Sequence, residues 1–97
     1  MEIWGILVDS QNVLSVSVIW HHFTGAADFE IQASAISSEN KTGRFDILPG
    51  HANFISVIYN SLVLYTMEKK QDVYFFRRGI VEVSENSVKL FLEGKID

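Results

Sequence analysis

LSVSVIW, residues 14–20, places Leu14, Val16 and Val18 at every second position with serines between them. A period of two belongs to a β-strand that buries one face and wets the other. Outward from this stretch the same spacing returns in Phe29, Ile31 and Ala33, in Val73 and Phe75, and in Val88, Leu90 and Leu92. These runs are rich in Val, Ile, Phe and Tyr, which suit a half-buried pleated surface, and clusters of Gly, Asn, Ser or Asp stop them. The pattern predicts strands over 3–8, 14–20, 28–36, 44–48, 53–58, 62–67, 72–76, 80–83 and 88–92. Tyr59-Asn60-Ser61, Glu68 to Gln71 and Ser84 to Ser87 are short enough to be hairpin turns. About eight to ten short, mostly antiparallel strands imply an all-β sandwich or flattened barrel. Ala52 to Tyr65 leaves a second reading open, since Phe54, Ile55, Val57, Ile58, Leu62 and Tyr65 also fit a helical stripe. Asn60-Ser61 and the β-branched residues favour two strands around a turn.

A chain of 97 residues is expected to form one domain, 1–97, because a second core of this size would bury too little surface. With 47% apolar and 21% charged residues it departs from the composition of disordered chains. Twelve acidic residues against eight basic ones give a net charge of -4. Only Lys69-Lys70 and Arg77-Arg78 are clustered, so nucleic acid is not an expected partner. Without cysteine there is no disulfide, no thiolate nucleophile and no Cys-containing zinc site, which fits a reducing compartment. The start carries Glu2 where a signal peptide would be basic, and no apolar run reaches the roughly 18 to 20 residues of a membrane helix.

Several short patterns invite chemistry. His21-His22 suggests a metal, but neighbours on a strand point to opposite faces and cannot chelate one ion. Ser38-Glu39-Asn40-Lys41 fits S-x-x-K, the serine and lysine pair of some acyl-enzyme hydrolases, yet it sits in a run that reads as a solvated loop. Asn40-Lys41-Thr42 fits a glycosylation sequon, idle without a secretory signal. The carboxylates are dispersed, and no phosphate-cradling glycine loop or dinucleotide fingerprint occurs. Phe75-Phe76-Arg77-Arg78-Gly79 mixes aromatic and basic residues as single-strand nucleic-acid platforms do, and equally reads as a strand ending at a glycine turn or bulge.

Leu48-Pro49-Gly50-His51 should stop a strand, because proline cannot donate to a sheet ladder and glycine permits positive φ. His51 then either hydrogen-bonds within this corner or faces a partner. Here the residues resemble a family. Gly43-x-Phe45-x-Ile47-Leu48-Pro49-Gly50-His51-Ala52 is similar to the G-x-F-x-I-L-P-G-H-A segment of the epsilon subunit of F-type ATP synthases, in its N-terminal β-sandwich domain. Phe23-Thr24-Gly25-Ala26, the strand Phe29 to Ala35, and Gly79-Ile80-Val81-Glu82-Val83 with Asn86-Ser87-Val88 resemble further family segments in the same order.

The resemblance implies a non-catalytic bracket that couples the gamma subunit to the c-ring in proton-driven ATP synthesis, without cofactor or metal. It places Thr42, Gly43, Arg44 and His51 towards the ring, makes Pro49, Gly50 and Gly79 structural turns, and leaves gamma to a side of the sandwich. The expected location is cytoplasmic, held to an energy-transducing membrane only through the ring. Arg44 stands where many relatives are acidic, Asn53 where they have proline, and Arg77-Arg78 where they are small. Residues 1–13 resemble an extra or displaced first strand, and the family's C-terminal helical hairpin does not follow the sandwich in these 97 residues. No ATP binding or inhibition of hydrolysis is therefore expected. The alternatives are a stand-alone β-sandwich protein-binding module and a small hydrolase built on Ser38 and Lys41. Phe45, Ile47, Phe54 and Val57 are expected to be buried, with Arg44 and His51 exposed at one end.

Overall fold

The computed structural model describes residues 12–21 and 28–96. The expected strand 3–8, residues 23–26 of the resemblance and His22 lie outside them. Six strands follow in order: β1 (Leu14–His21), β2 (Phe29–Asn40), β3 (Gly43–Ile47), β4 (Phe54–Thr66), β5 (Gln71–Ser84) and β6 (Ser87–Ile96). They lie side by side as β1-β6-β5-β4-β2-β3, and β1 also pairs with β2, which closes the sheet into a flattened barrel. Every pairing is antiparallel except β1 with β6.

The all-β sandwich or flattened barrel is borne out, but among the described residues six longer strands stand where eight runs were expected. Runs 53–58 and 62–67 are one strand, β4, and 72–76 and 80–83 are both in β5. Asn60 is therefore not a hairpin turn. It has φ 76° inside β4, where Tyr59 pairs with Arg78 and Asn60 with Phe76. That register leaves Arg77 as the extra residue of a β-bulge, which bends both strands. Gly94 lies alongside at φ 73°, where an added Cβ would stand 2.7 Å from the Arg77 Cβ. Nor is Gly79 a turn: it sits in the interior of β5, paired with Ile58 and Leu92. Local composition cannot separate a bulge from a turn, since both use residues that tolerate unusual φ.

Two other hairpins behave as read. Glu85 and Asn86 both take positive φ between Ser84 and Ser87, the geometry of a type I′ turn whose twist matches its strands. Lys69 also takes positive φ, and the Lys69 N–H donates to the Thr66 carbonyl (3.0 Å) in the β4–β5 connection.

The core takes one face of each main strand: Leu14, Val16, Val18 and Trp20 from β1, Ile58, Leu62 and Leu64 from β4, and Val88, Leu90 and Leu92 from β6. Ile47 is buried, and Phe45 and Phe54 pack against the core with their rings edge to face. Val57 is the exception to the expected core, because the inward side of β4 carries Phe54 and Ile58 and leaves Val57 41% exposed.

Of the run 38–41, expected as a solvated loop, residues 38–40 complete β2 and only Lys41 stands in a turn. Ser37 and Ser38 are buried there, since distant partners satisfy their hydroxyls. Ser37 donates to Asp46 Oδ1 (2.6 Å), and Ser38 donates to the Ser61 carbonyl (2.7 Å).

Candidate protein-docking surfaces

The Leu48–His51 corner is a type II turn. The His51 N–H donates to the Leu48 carbonyl (3.0 Å), Pro49 occupies the second position, and Gly50 supplies φ 87° at the third. Pro49 and Gly50 thus stand outside strand pairing, as expected. Two asparagine side chains tie the corner to the β5–β6 hairpin. Asn86 Oδ1 accepts from the Gly50 N–H (2.7 Å), and Asn53 Oδ1 accepts from the Glu85 N–H (2.9 Å). Asn53 replaces the proline of the resembling segment and uses its side chain to lock the loop. The exposed His51 packs on Phe54 at 4.8 Å between centroids with the rings tilted by 44°, and its Nδ1 is 2.7 Å from the Ala52 carbonyl. This corner is held from three sides, so a partner meets a preformed shape.

Thr42, Gly43 and Arg44 form a separate feature, the β2–β3 hairpin. Asn40 Oδ1 accepts from both the N–H (2.9 Å) and the hydroxyl (2.7 Å) of Thr42, and Gly43 has φ 127°. Asn40 Nδ2 reaches Ser56 Oγ at 3.2 Å, which lays the hairpin over β4. Arg44 is exposed and 3.6 Å from Glu39 across the hairpin. Arg44 and His51 are both accessible, as expected, and the Phe45–Phe54 and Phe54–His51 ring contacts (5.9 and 4.8 Å) link the segments that carry them. Gly43 and Ile47 are opposite ends of β3, so the structure places the two residues on separate loops.

Ser38 and Lys41 do not make a nucleophile and base. The Ser38 hydroxyl is buried and occupied by a backbone carbonyl, whereas Lys41 is exposed in the hairpin turn. Among the described residues no group of three His, Asp or Glu side chains is arranged to hold a metal ion. The carboxylates serve local bonds: Asp28 accepts from the Trp20 N–H (2.9 Å), and Glu93 accepts from Arg78 Nε (3.0 Å) and Nη2 (2.8 Å).

The Arg78 bond, with its charge, holds the Glu93 carboxyl below the ordinary glutamate range, and Glu93 in turn raises the Arg78 guanidinium. A lowered carboxyl stabilises the fold above its ordinary pKa, and that contribution is lost as pH falls through the lowered value. Glu93→Gln should therefore reduce melting temperature slightly near neutral pH and make no difference in strong acid. Thermal melts of both proteins across pH check this, and an equal gap at every pH would contradict it. The effect stays small because both groups are open to water.

Sequence reasoning missed a third feature on the outer face of β1, β6, β5 and β4. Val57, Tyr59, Ile80 and Phe91 line an open groove of about 590 Å³ there. The signal was present only as ordinary alternation, and strand register is needed to see these residues meet.

The chain matches the family model for the β-sandwich domain of the ATP synthase delta/epsilon chain over residues 27–95. Among solved structures it is similar to a chain of the Euglena gracilis mitochondrial ATP synthase, determined as OSCP, F1 and c-ring (TM-score 0.73, 16% identity, 88% of this chain and 53% of that one). It is also similar to a chain of the central stalk and c-ring of the Tetrahymena thermophila mitochondrial ATP synthase (TM-score 0.67, 11% identity, 87% of this chain and 66% of that one). The chain thus spans between about half and two thirds of those chains. No curated protein matches it in sequence.

Proposed function

The chain belongs to the ATP synthase delta/epsilon chain family through its β-sandwich domain, and from that premise we propose that it is a non-catalytic central-stalk subunit of an F-type ATP synthase. In this reading the sandwich connects the gamma subunit with the c-ring and passes rotation between them. Attachment to the energy-transducing membrane is peripheral, through the ring. Among the described residues no helix is long and apolar enough to cross a membrane.

One observation carries the reading. The segment of strongest resemblance, Gly43 to Ala52, is mostly exposed surface anchored by buried Ile47, with the Leu48–His51 turn bonded to Asn86. Torque transfer requires stiffness at the contact, and a closed sheet with side-chain braces supplies it. His51 and the hairpin of Thr42, Gly43 and Arg44 then act together as the ring-facing contacts. Arg44 presents positive charge, so its ring contact should favour acidic or neutral loops.

Co-purification with separately expressed gamma subunit and detergent-solubilised c-ring from the same organism tests this. A stable ternary complex is expected, whereas binding to neither would overturn the reading and favour a stand-alone module.

A further inference from the structure

The outward side chains of β1, β6, β5 and β4 form three rows across the four strands. The middle row is apolar, with Ile19, Phe91, Ile80 and Val57 as consecutive cross-strand partners along the open groove. Towards the β5–β6 hairpin the next row runs Ser17, Lys89, Glu82 and Ile55. Ile55 is 69% exposed, more than any other large apolar side chain among the described residues. On the other side the row runs His21, Glu93, Arg78 and Tyr59. The charges on the two central strands therefore alternate. Lys89 and Glu93 flank Phe91 on β6, while Glu82 and Arg78 flank Ile80 on β5 with the opposite polarity.

A checkerboard of this kind meets charges of opposite sign when a second copy is turned over onto it. We propose that this face pairs with a second copy of the chain about a twofold axis running along the apolar row, so that the strands of the two copies are antiparallel. The axis sets Lys89 over the partner's Glu93 and Glu82 over the partner's Arg78, each contact occurring twice by symmetry. Phe91, Ile80 and Val57 meet their own counterparts between them. Ile55 decides between the two in-plane twofold axes. An axis along the strands would also match the charges, but it would lay Ile55 on the partner's Ser17. The axis along the row lays Ile55 on the partner's Tyr59, which lines the groove, so that a protruding apolar side chain enters a concave apolar surface.

Three rows on four strands cover about 19 by 20 Å, or about 400 Å² of each copy. That is about half of the roughly 800 Å² per partner in a standard interface, so the pair is weak and reversible, with a dissociation constant in the micromolar range or above. The opposite outer face offers no equal surface. There Phe75 pairs with Ile96 on one side but with Ser61 on the other, so the apolar run stops after two strands. The inference does not rest on the stalk reading, because it concerns the chain alone.

Sedimentation of the purified full chain from micromolar to millimolar concentration tests the pairing, and a monomer–dimer equilibrium is expected. Ile80→Lys and Ile55→Lys should each weaken it about tenfold, the scale of losing a central interface residue, with melting temperatures nearly unchanged. Phe75→Lys, on the opposite face, should leave it as it was. Lys89→Glu combined with Glu82→Lys keeps opposite charges side by side within the chain but sets like charges across the chosen axis, so this double variant should be monomeric. If it pairs as the unaltered chain does, the arrangement about this axis is overturned. A chain that stays monomeric at millimolar concentration would overturn the proposal, as would a dimer that neither Ile80→Lys nor Ile55→Lys weakens. Both results would leave the stalk reading intact, since binding to gamma and ring tests that separately.

Discussion

Phe76→Ala should cost about 3–5 kcal/mol of folding stability, the range for emptying a buried phenylalanine site. Phe76 is 0% exposed and is the largest of the fully buried side chains. It sits next to the β5 bulge, between Asn60 of β4 and Lys95 of β6. Removing the ring leaves a cavity beside the bulge of two paired strands, and a closed sheet has little freedom to collapse into it. Against a total stability of about 5–15 kcal/mol, much of the margin disappears. The melting temperature should fall by at least about 12 °C, at about 4 °C or more per kcal/mol for a domain of this size. Phe75, the preceding residue, points outward and is 51% exposed, so Phe75→Ala should shift stability by far less. Urea and thermal unfolding of both variants measure the contrast. Equal effects would contradict the assigned faces of β5.

Gly79→Ala should also destabilise, by about 1–3 kcal/mol, the scale of overpacking a core. The sign is informative, because glycine in a strand interior is ordinarily improved by alanine. Here an added Cβ would stand 2.7 Å from Leu92 Cδ2 and 2.8 Å from the Phe91 carbonyl oxygen. Leu92 is 0% exposed, and the carbonyl is backbone of the β5–β6 ladder, which cannot swing aside as a side chain can. The β5–β6 pair must therefore move apart for the methyl to fit. A rise in melting temperature would show that Gly79 serves no packing purpose.

Period-two spacing made the core of β1 and β6 legible, because Leu14, Val16, Val18, Val88, Leu90 and Leu92 alternate without interruption and all point inward. Leu48-Pro49-Gly50-His51 was legible for a different reason, since proline and glycine restrict the backbone whatever surrounds them. Where a residue's role depends on a distant partner, sequence alone failed. Asn60 looked like a turn because the Arg77 bulge that accommodates it belongs to another strand. Ser38 reads as solvated because the Ser61 carbonyl, which satisfies it, lies on another strand. Val57 was assigned to the core from its type, and the parity of β4 sets it outward instead. The same limit hid the outer groove, since Val57, Ile80 and Phe91 come from three strands.

Proton pumping provides the most direct measurement of the central claim. Membrane vesicles carrying the synthase from the same organism, depleted of its own epsilon-type subunit, are supplied with the purified chain and ATP. Hydrolysis and acidification are then followed together. A coupling subunit should restore ATP-driven acidification without slowing hydrolysis. Continued hydrolysis with no acidification, although gamma and ring are present, would contradict the stalk function, and strong inhibition of hydrolysis would contradict a purely mechanical role.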